Sequence, residues 1–128
     1  MKRAGGIAGV GLVAVFFIAG AVLPNGLPVG VVLLGVVLGG SGNGEQMAAN
    51  KVAGIRAALC YTQELATLAR EHNDAQVISI GARMTAVEEA KEMVAAFLAT
   101  PFSAAPRHQR WIDMVSAYEK DGVLPPVP

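Results

Sequence analysis

The chain has 128 residues, a length that suits one domain with a hydrophobic core that needs no disulfide or structural metal. Only 16% of the residues are charged, against about a quarter in an ordinary soluble domain, and the formal net charge is zero. This charge balance excludes a basic surface, so nucleic acid is not an expected partner. The single cysteine, Cys60, excludes an internal disulfide and a thiolate-rich metal site, and it is compatible with a reducing cytosol.

Residues 1–34 form an apolar segment rich in Gly, Ala and Val. Its run 4–23 is uncharged, follows Lys2-Arg3, and is long enough to span a membrane. Residues 19–21 end the run with the small-x-small spacing of a signal peptide. Five glycines in the run weaken any helix by about 1 kcal/mol each, so buried strand and loop in a soluble core is an equal alternative.

From Glu45 to Gly122 the pattern changes to that of alternating helices and buried strands, and residues 35–122 are expected to form one α/β domain. Apolar runs predict strands at 27–38, 56–61 and 76–80, and a short helix is expected at 46–52. Thr85 and Glu88 have the spacing of a capping box, which predicts the start of a further helix. The Pro-rich tail, residues 123–128, is expected to be flexible.

The glycine-rich segment 39–45 lies between a predicted strand and a predicted helix. Glycines let backbone N–H groups approach a ligand, and a helix start adds partial positive charge, so the segment suits an anion. Its spacing fits neither a P-loop nor a dinucleotide loop. Glu45 could abstract a proton beside a carbonyl while Ser41 and loop N–H groups stabilise the resulting oxyanion. The alternative is an ordinary glutamate in the first turn of a helix, stabilised by the dipole.

The same segment resembles the central motif of the B-type ribose-5-phosphate isomerases, in its actinobacterial form. The matching strings occur in the family's order over about 90 residues, at positions 35–51, 54–58, 69–74, 80–83 and 107–110. The resemblance implies an α/β fold, a three-layer Rossmann-like parallel sheet that is here truncated at its N-terminal end. It also implies a cytoplasmic homodimer that interconverts D-ribose 5-phosphate and D-ribulose 5-phosphate through an enediolate, in the pentose phosphate pathway, without metal or cofactor.

The resemblance also assigns roles to individual residues. Glu45 would be the base, in place of a cysteine that other members carry at the position of Gly39. His72 would open the furanose ring, and Arg107 would bind the phosphate. The remaining substrate-binding residues would be Gly40, Ser41, Gly42, Asn43, Gly44, Asn73 and Arg83. In the family, these groups come from two subunits. Each role has a simpler alternative, such as a helix C-cap for His72.

Two departures from the family pattern leave other functions open. A second phosphate-binding arginine is replaced by Trp111, whose apolar neighbours on the helix predict packing, inside the chain or at a subunit contact. Arg110 could supply the missing charge only if the helix rotates or its side chain reaches round. The Asp-His pair of the family's first strand has no counterpart, and a frameshift or a fusion to a membrane anchor could explain this. The alternatives are an inactive or membrane-tethered relative and an isomerase of another sugar phosphate.

Overall fold

The computed structural model describes residues 13–18, 32–124 and 126. Three parallel strands lie side by side in the order β2-β4-β3, and β1 pairs antiparallel with β2. The predicted α/β fold with a parallel sheet is confirmed, and β1 adds an antiparallel strand to it. The elements in chain order are β1 Val13–Ile18, β2 Val32–Gly39, α1 Asn43–Ala49, β3 Ala57–Leu59, α2 Gln63–Asn73, β4 Val77–Gly81, α3 Val87–Ala99 and α4 Pro106–Asp121.

The core lies between one face of the sheet and helices α2 and α3. Alternate residues of β2 and β4 point to this face, and the buried cluster comprises Leu34, Val36, Cys60, Ala66, Ala69, Ala75, Ile78, Ile80, Met93 and Phe97. The intervening residues Val37 and Ser79 are also buried and point to the opposite face, where α1 lies against β2, β3 and β4. Helices on both faces give the predicted three layers.

Six residues of the apolar N-terminal segment belong to the same sheet. β1 pairs with β2 from Val13 opposite Val37 to Ile18 opposite Val32. This agrees with the strand-and-loop alternative for these six residues, whereas the signal-peptide site at 19–21 and the rest of the run 4–23 lie outside the described residues. Among the helices of the described part of the chain, none combines the length and the apolar character needed to cross a membrane.

Helix α1 begins and ends three residues before its predicted position. It begins at Asn43 because Gly42 adopts a left-handed conformation, with φ of 78°, and turns the chain into the helix. It ends at Ala49 because the side chain of the next residue, Asn50, forms hydrogen bonds to the backbone of strand β3. The Asn50 amide oxygen accepts from the backbone N–H of Ala57 at 2.8 Å, and its NH₂ donates to the Ala57 carbonyl at 3.0 Å.

The predicted capping box of Thr85 and Glu88 is wrong by one residue. Helix α3 begins at Val87, and the Glu89 carboxylate accepts from the backbone N–H of Ala86 at 3.2 Å. Alanine offers no side-chain acceptor, so only half of the reciprocal bonding of a capping box is made. The sequence pattern therefore predicted the helix start to within one residue, but the glutamate that caps the helix is Glu89 and not Glu88.

The turn between α2 and β4 is fixed by a buried arginine. Asp74 ends α2 in the left-handed region, with φ of 44°. The Arg70 guanidinium donates at 2.7 Å to both the Asp74 carboxylate and the Ala75 carbonyl, and it lies over the Phe97 ring. Since Arg70 is buried, these partners are needed to offset the free-energy cost of removing its positive charge from water.

Substitution of Asp74 is expected to destabilise the fold because it leaves the Arg70 guanidinium short of its anionic partner. Asp74→Ala should lower the free energy of unfolding by about 2 kcal/mol, measured by urea denaturation. Asp74→Asn is the matched control, since asparagine tolerates a left-handed conformation and keeps an acceptor oxygen. It should lose less than half as much, and equal losses would contradict the argument.

Candidate functional site

The glycine loop crosses the carboxyl end of strand β4. A side chain at Gly42 would meet Leu59 Cδ1 at 2.7 Å, and one at Gly81 would meet the Ser41 carbonyl oxygen at 2.7 Å. The buried Ser79 hydroxyl donates to the Gly42 carbonyl at 2.7 Å. Glycines at these two positions and the Ser79 hydrogen bond therefore fix the path of the loop from β2 into α1.

The Glu45 side chain folds back from the first turn of α1 over Gly39. The three atoms of its carboxylate occupy the space that a Cβ atom at Gly39 would need. Glu45 is partly buried there, and the Ser41 hydroxyl beside it accepts from the Asn43 N–H at 3.3 Å. The absence of a side chain at Gly39 thus permits this position of the carboxylate.

Arg83 is brought to the loop by the backbone. After β4 the chain runs along the loop, with the Ala82 N–H donating to the Gly39 carbonyl at 2.7 Å and the Arg83 N–H to the Gly40 carbonyl at 3.1 Å. The Arg83 guanidinium consequently lies beside Gly40. A cleft of about 480 Å³ is lined by Gly40, Ser41, Gly44, Glu45, Arg83 and Met84.

A second cluster contains His72 and Arg107, and His108 joins them. The rings of His72 and His108 lie 4.1 Å apart between centroids, and the Arg107 Nε donates to the His108 Nε2 at 3.0 Å. Asn73 is next to this cluster at the end of α2, where its carbonyl accepts from the Arg56 Nε at 2.8 Å. His108 was not predicted, although it lies within the matching string 107–110.

Within one chain, the two clusters lie at opposite ends of the parallel strands, one at their carboxyl ends and the other at their amino ends. Glu45 follows the carboxyl end of β2, whereas α2 starts beyond the carboxyl end of β3 and runs back for about 16 Å to the amino end of β4. His72 is in the last turn of α2. A single chain therefore brings together two halves of the predicted site, one with the carboxylate and Arg83, the other with His72 and Arg107.

Trp111 does not pack inside the chain, so of the predicted packing roles of its helix stripe the subunit contact is the one left. Trp111, Val115 and Tyr118 are each almost half exposed on α4. The Arg110 guanidinium lies over the Trp111 ring, 5.6 Å from its centroid. Arg110 is thus held at Trp111, and α4 presents an apolar stripe to the outside of the chain.

Cys60 lies in the core, away from the cleft. It is 1% exposed, and burial raises the pKa of its thiol to about 11, so it stays protonated at neutral pH. Within the described residues, no three side chains among His, Cys, Asp and Glu come together in a way that could hold a metal ion. The polar and charged side chains that line the cleft are those of Glu45, Ser41 and Arg83.

The fold and the loop define the class of the protein: a Rossmann-like α/β protein with a carboxylate and backbone donors at the carboxyl end of a parallel strand, where such folds bind ligands. The family model described as Ribose/Galactose Isomerase matches residues 25–115. The chain belongs to this family.

Relatives and solved structures agree with this assignment. Ribose-5-phosphate isomerase B of Mycolicibacterium paratuberculosis is 62% identical over 95 residues, which are 74% of this chain and 60% of the relative. The Escherichia coli K12 enzyme of the same name is 40% identical over 67% of this chain and 57% of its own length. The chain therefore spans about three-fifths of these relatives.

Among solved structures, the type B ribose 5-phosphate isomerase of Trypanosoma cruzi matches with a TM-score of 0.67 and 46% identity, over 69% of this chain and 57% of that one. Ribose-5-phosphate isomerase B of Mycoplasma genitalium, solved with bound ribulose 5-phosphate, also has a TM-score of 0.67, with 42% identity and the same coverage. These matches agree with the Rossmann-like fold.

Proposed function

We propose that the protein is an aldose-ketose isomerase that interconverts D-ribose 5-phosphate and D-ribulose 5-phosphate through an enediolate, a step of the pentose phosphate pathway. The observation that carries this proposal is the Glu45 carboxylate held over Gly39, beside Ser41 and the loop amides. The names of the relatives support the choice of substrate.

In the proposed reaction, Glu45 takes the proton from C2 of open-chain ribose 5-phosphate. The electron pair moves into a C1–C2 double bond, and the aldehyde oxygen becomes an enediolate oxygen. Ser41 and the N–H groups of the loop and of the first turn of α1, which lack partners within the helix, stabilise that charge. Glu45 then returns the proton to C1, and the hydroxyl proton of O2 moves to O1. The reaction is balanced without an oxidant or reductant.

The second cluster supplies two further roles in this proposal, and residues near both clusters contact the sugar. His72 opens the furanose ring by proton transfer, and Arg107 binds the phosphate with its guanidinium, which suits two phosphate oxygens. Asn73 and Arg83 contact the sugar. Gly42 lets the loop pass close to the end of β4, and a side chain at Gly44 would meet nothing within 4 Å.

The active form in this proposal is a homodimer whose sites each combine the Glu45 cluster of one copy with the His72 and Arg107 cluster of the other. Support comes from the position of the two clusters in one chain, at opposite ends of the parallel strands. The apolar stripe of Trp111, Val115 and Tyr118 on α4 also supports it, because exposed apolar residues at helical spacing are typical of an interface.

Glu45→Gln tests the proposed function directly. Replacement of the base by a neutral amide should lower kcat by about a thousandfold, measured as conversion of ribose 5-phosphate by the purified protein. Glu64→Gln is the matched control, since Glu64 also lies in the first turn of a helix but does not line the cleft. Equal rates for the unmodified protein and Glu45→Gln would overturn the proposal.

Gly39→Ala should abolish turnover without unfolding the protein, because the methyl group would take the space of the Glu45 carboxylate, the end of a flexible side chain. In Gly35→Ala, on the same strand and outside the cleft, the methyl group would meet only the Val77 side chain at ordinary contact distance, 3.4 Å, and activity should persist. Turnover and thermal melting of both variants provide the comparison. An active Gly39→Ala would show that the carboxylate position is not required.

Shared sites predict complementation between two inactive variants. Glu45→Gln and His72→Ala each damage both sites of their own homodimer, whereas a mixed dimer contains one intact site. Subunit exchange at equal concentrations should recover roughly a quarter of the unmodified activity. Coexpression or mixing after mild denaturation, followed by the isomerase assay, measures this. A mixture no more active than the sum of its parents would contradict shared sites.

A further inference from the structure

His108 connects the second cluster to the segment between α3 and α4. It is 9% exposed, and its Nδ1 lies 2.8 Å from the Ser103 hydroxyl oxygen, while its Nε2 receives the Arg107 Nε–H at 3.0 Å. The backbone N–H of Ser103 in turn donates to the Glu71 carbonyl of α2. A buried ring with both nitrogens bonded has a single orientation.

These bonds determine which nitrogen carries the proton. The Arg107 Nε always carries hydrogen, so the His108 Nε2 must be the unprotonated acceptor, and the proton resides on Nδ1 and is donated to Ser103. Burial lowers the pKa of His108, and the nearby His72 and Arg107 lower it further, while Glu71 opposes them. The ring is therefore neutral at pH 7, as its bond to Arg107 requires.

We infer that His108 is a positioning residue that fixes the Arg107 guanidinium for the phosphate group of a sugar phosphate. The hydrogen bond holds Nε, and within the described residues no other group bonds the two terminal nitrogens of Arg107, which can then bind an anion. Orientation matters here because the residue one turn further along the helix is Trp111, which holds Arg110 at its ring. The inference rests on the proposed function in taking Arg107 as the phosphate ligand.

Two substitutions of His108 separate positioning from packing. Glutamine places its amide oxygen near the former Nε2, so it can still accept from Arg107; asparagine is shorter and reaches only the former Nδ1 position, beside Ser103. His108→Asn should raise KM for ribose 5-phosphate about tenfold with kcat changed less than twofold, the loss expected for one charge-assisted hydrogen bond. The KM of His108→Gln should stay within about threefold of that of the unmodified protein.

A binding measurement that needs no turnover keeps this inference separate from the proposed function. Sulfate, whose charge is constant between pH 5 and 8, is titrated while the Arg107 Nε–H and the His108 ring nitrogens are followed by NMR. The Arg107 signal should respond to sulfate, and the His108 spectrum should be that of the Nδ1–H tautomer. Because the pKa of His108 is lowered, sulfate affinity should be kept at neutral pH and should fall only at a pH below the usual histidine range, as protonation removes the acceptor.

The ionisable groups that face His108 are His72, Glu71 and Arg107. They are present in every variant, so the difference between the unmodified protein and His108→Gln isolates His108. The glutamine variant should lose less affinity at low pH. Equal effects of asparagine and glutamine on KM, or a sulfate affinity with the same pH dependence in both proteins, would overturn the inference. If the unmodified protein has no isomerase activity, the proposed function fails, and the sulfate titration alone decides the role of His108.

Discussion

The candidate cleft depends on the close passage of the glycine loop over the end of strand β4. The buried Ser79 hydroxyl holds the Gly42 carbonyl, and Gly81 leaves room for the backbone at Ser41. From this contact the other features follow. Hydrogen bonds between the two segments bring Arg83 to the loop, the left-handed Gly42 starts α1, and the first turn of α1 directs the Glu45 carboxylate back over Gly39.

Much of the fold could be predicted because its strands are short apolar runs without alternation, as expected of strands covered on both faces. The helix starts were less predictable. The limits of α1 depend on a hydrogen bond between Asn50 and Ala57, a tertiary contact that no local pattern encodes. The structure of residues 13–18, which form β1, could not be predicted for a similar reason. An apolar glycine-rich run is compatible with a strand, a loop or a membrane segment until its pairing with β2 is known.

For the candidate site, the glycine loop and its glutamate could be located from local chemistry, and the resemblance supplied the distant histidine and arginines. What the sequence could not supply was their grouping. His72 and Arg107 meet through His108, and all three lie away from Glu45 within the same chain. Ser79 was also missed, since a single serine in an apolar strand gives no sign that its hydroxyl supports a loop 37 positions earlier.

The overlap between the Glu45 carboxylate and the space above Gly39 restricts how this site can change over time. By resemblance, other members carry a cysteine at the position of Gly39, and any side chain there would exclude the carboxylate. The two bases therefore cannot occupy this space together, and a cysteine at Gly39 would turn the flexible Glu45 side chain away from it. A lineage that exchanges one base for the other keeps a base throughout only if the new residue is acquired before the old one is lost, so the replacement is epistatic and the order of the two changes matters.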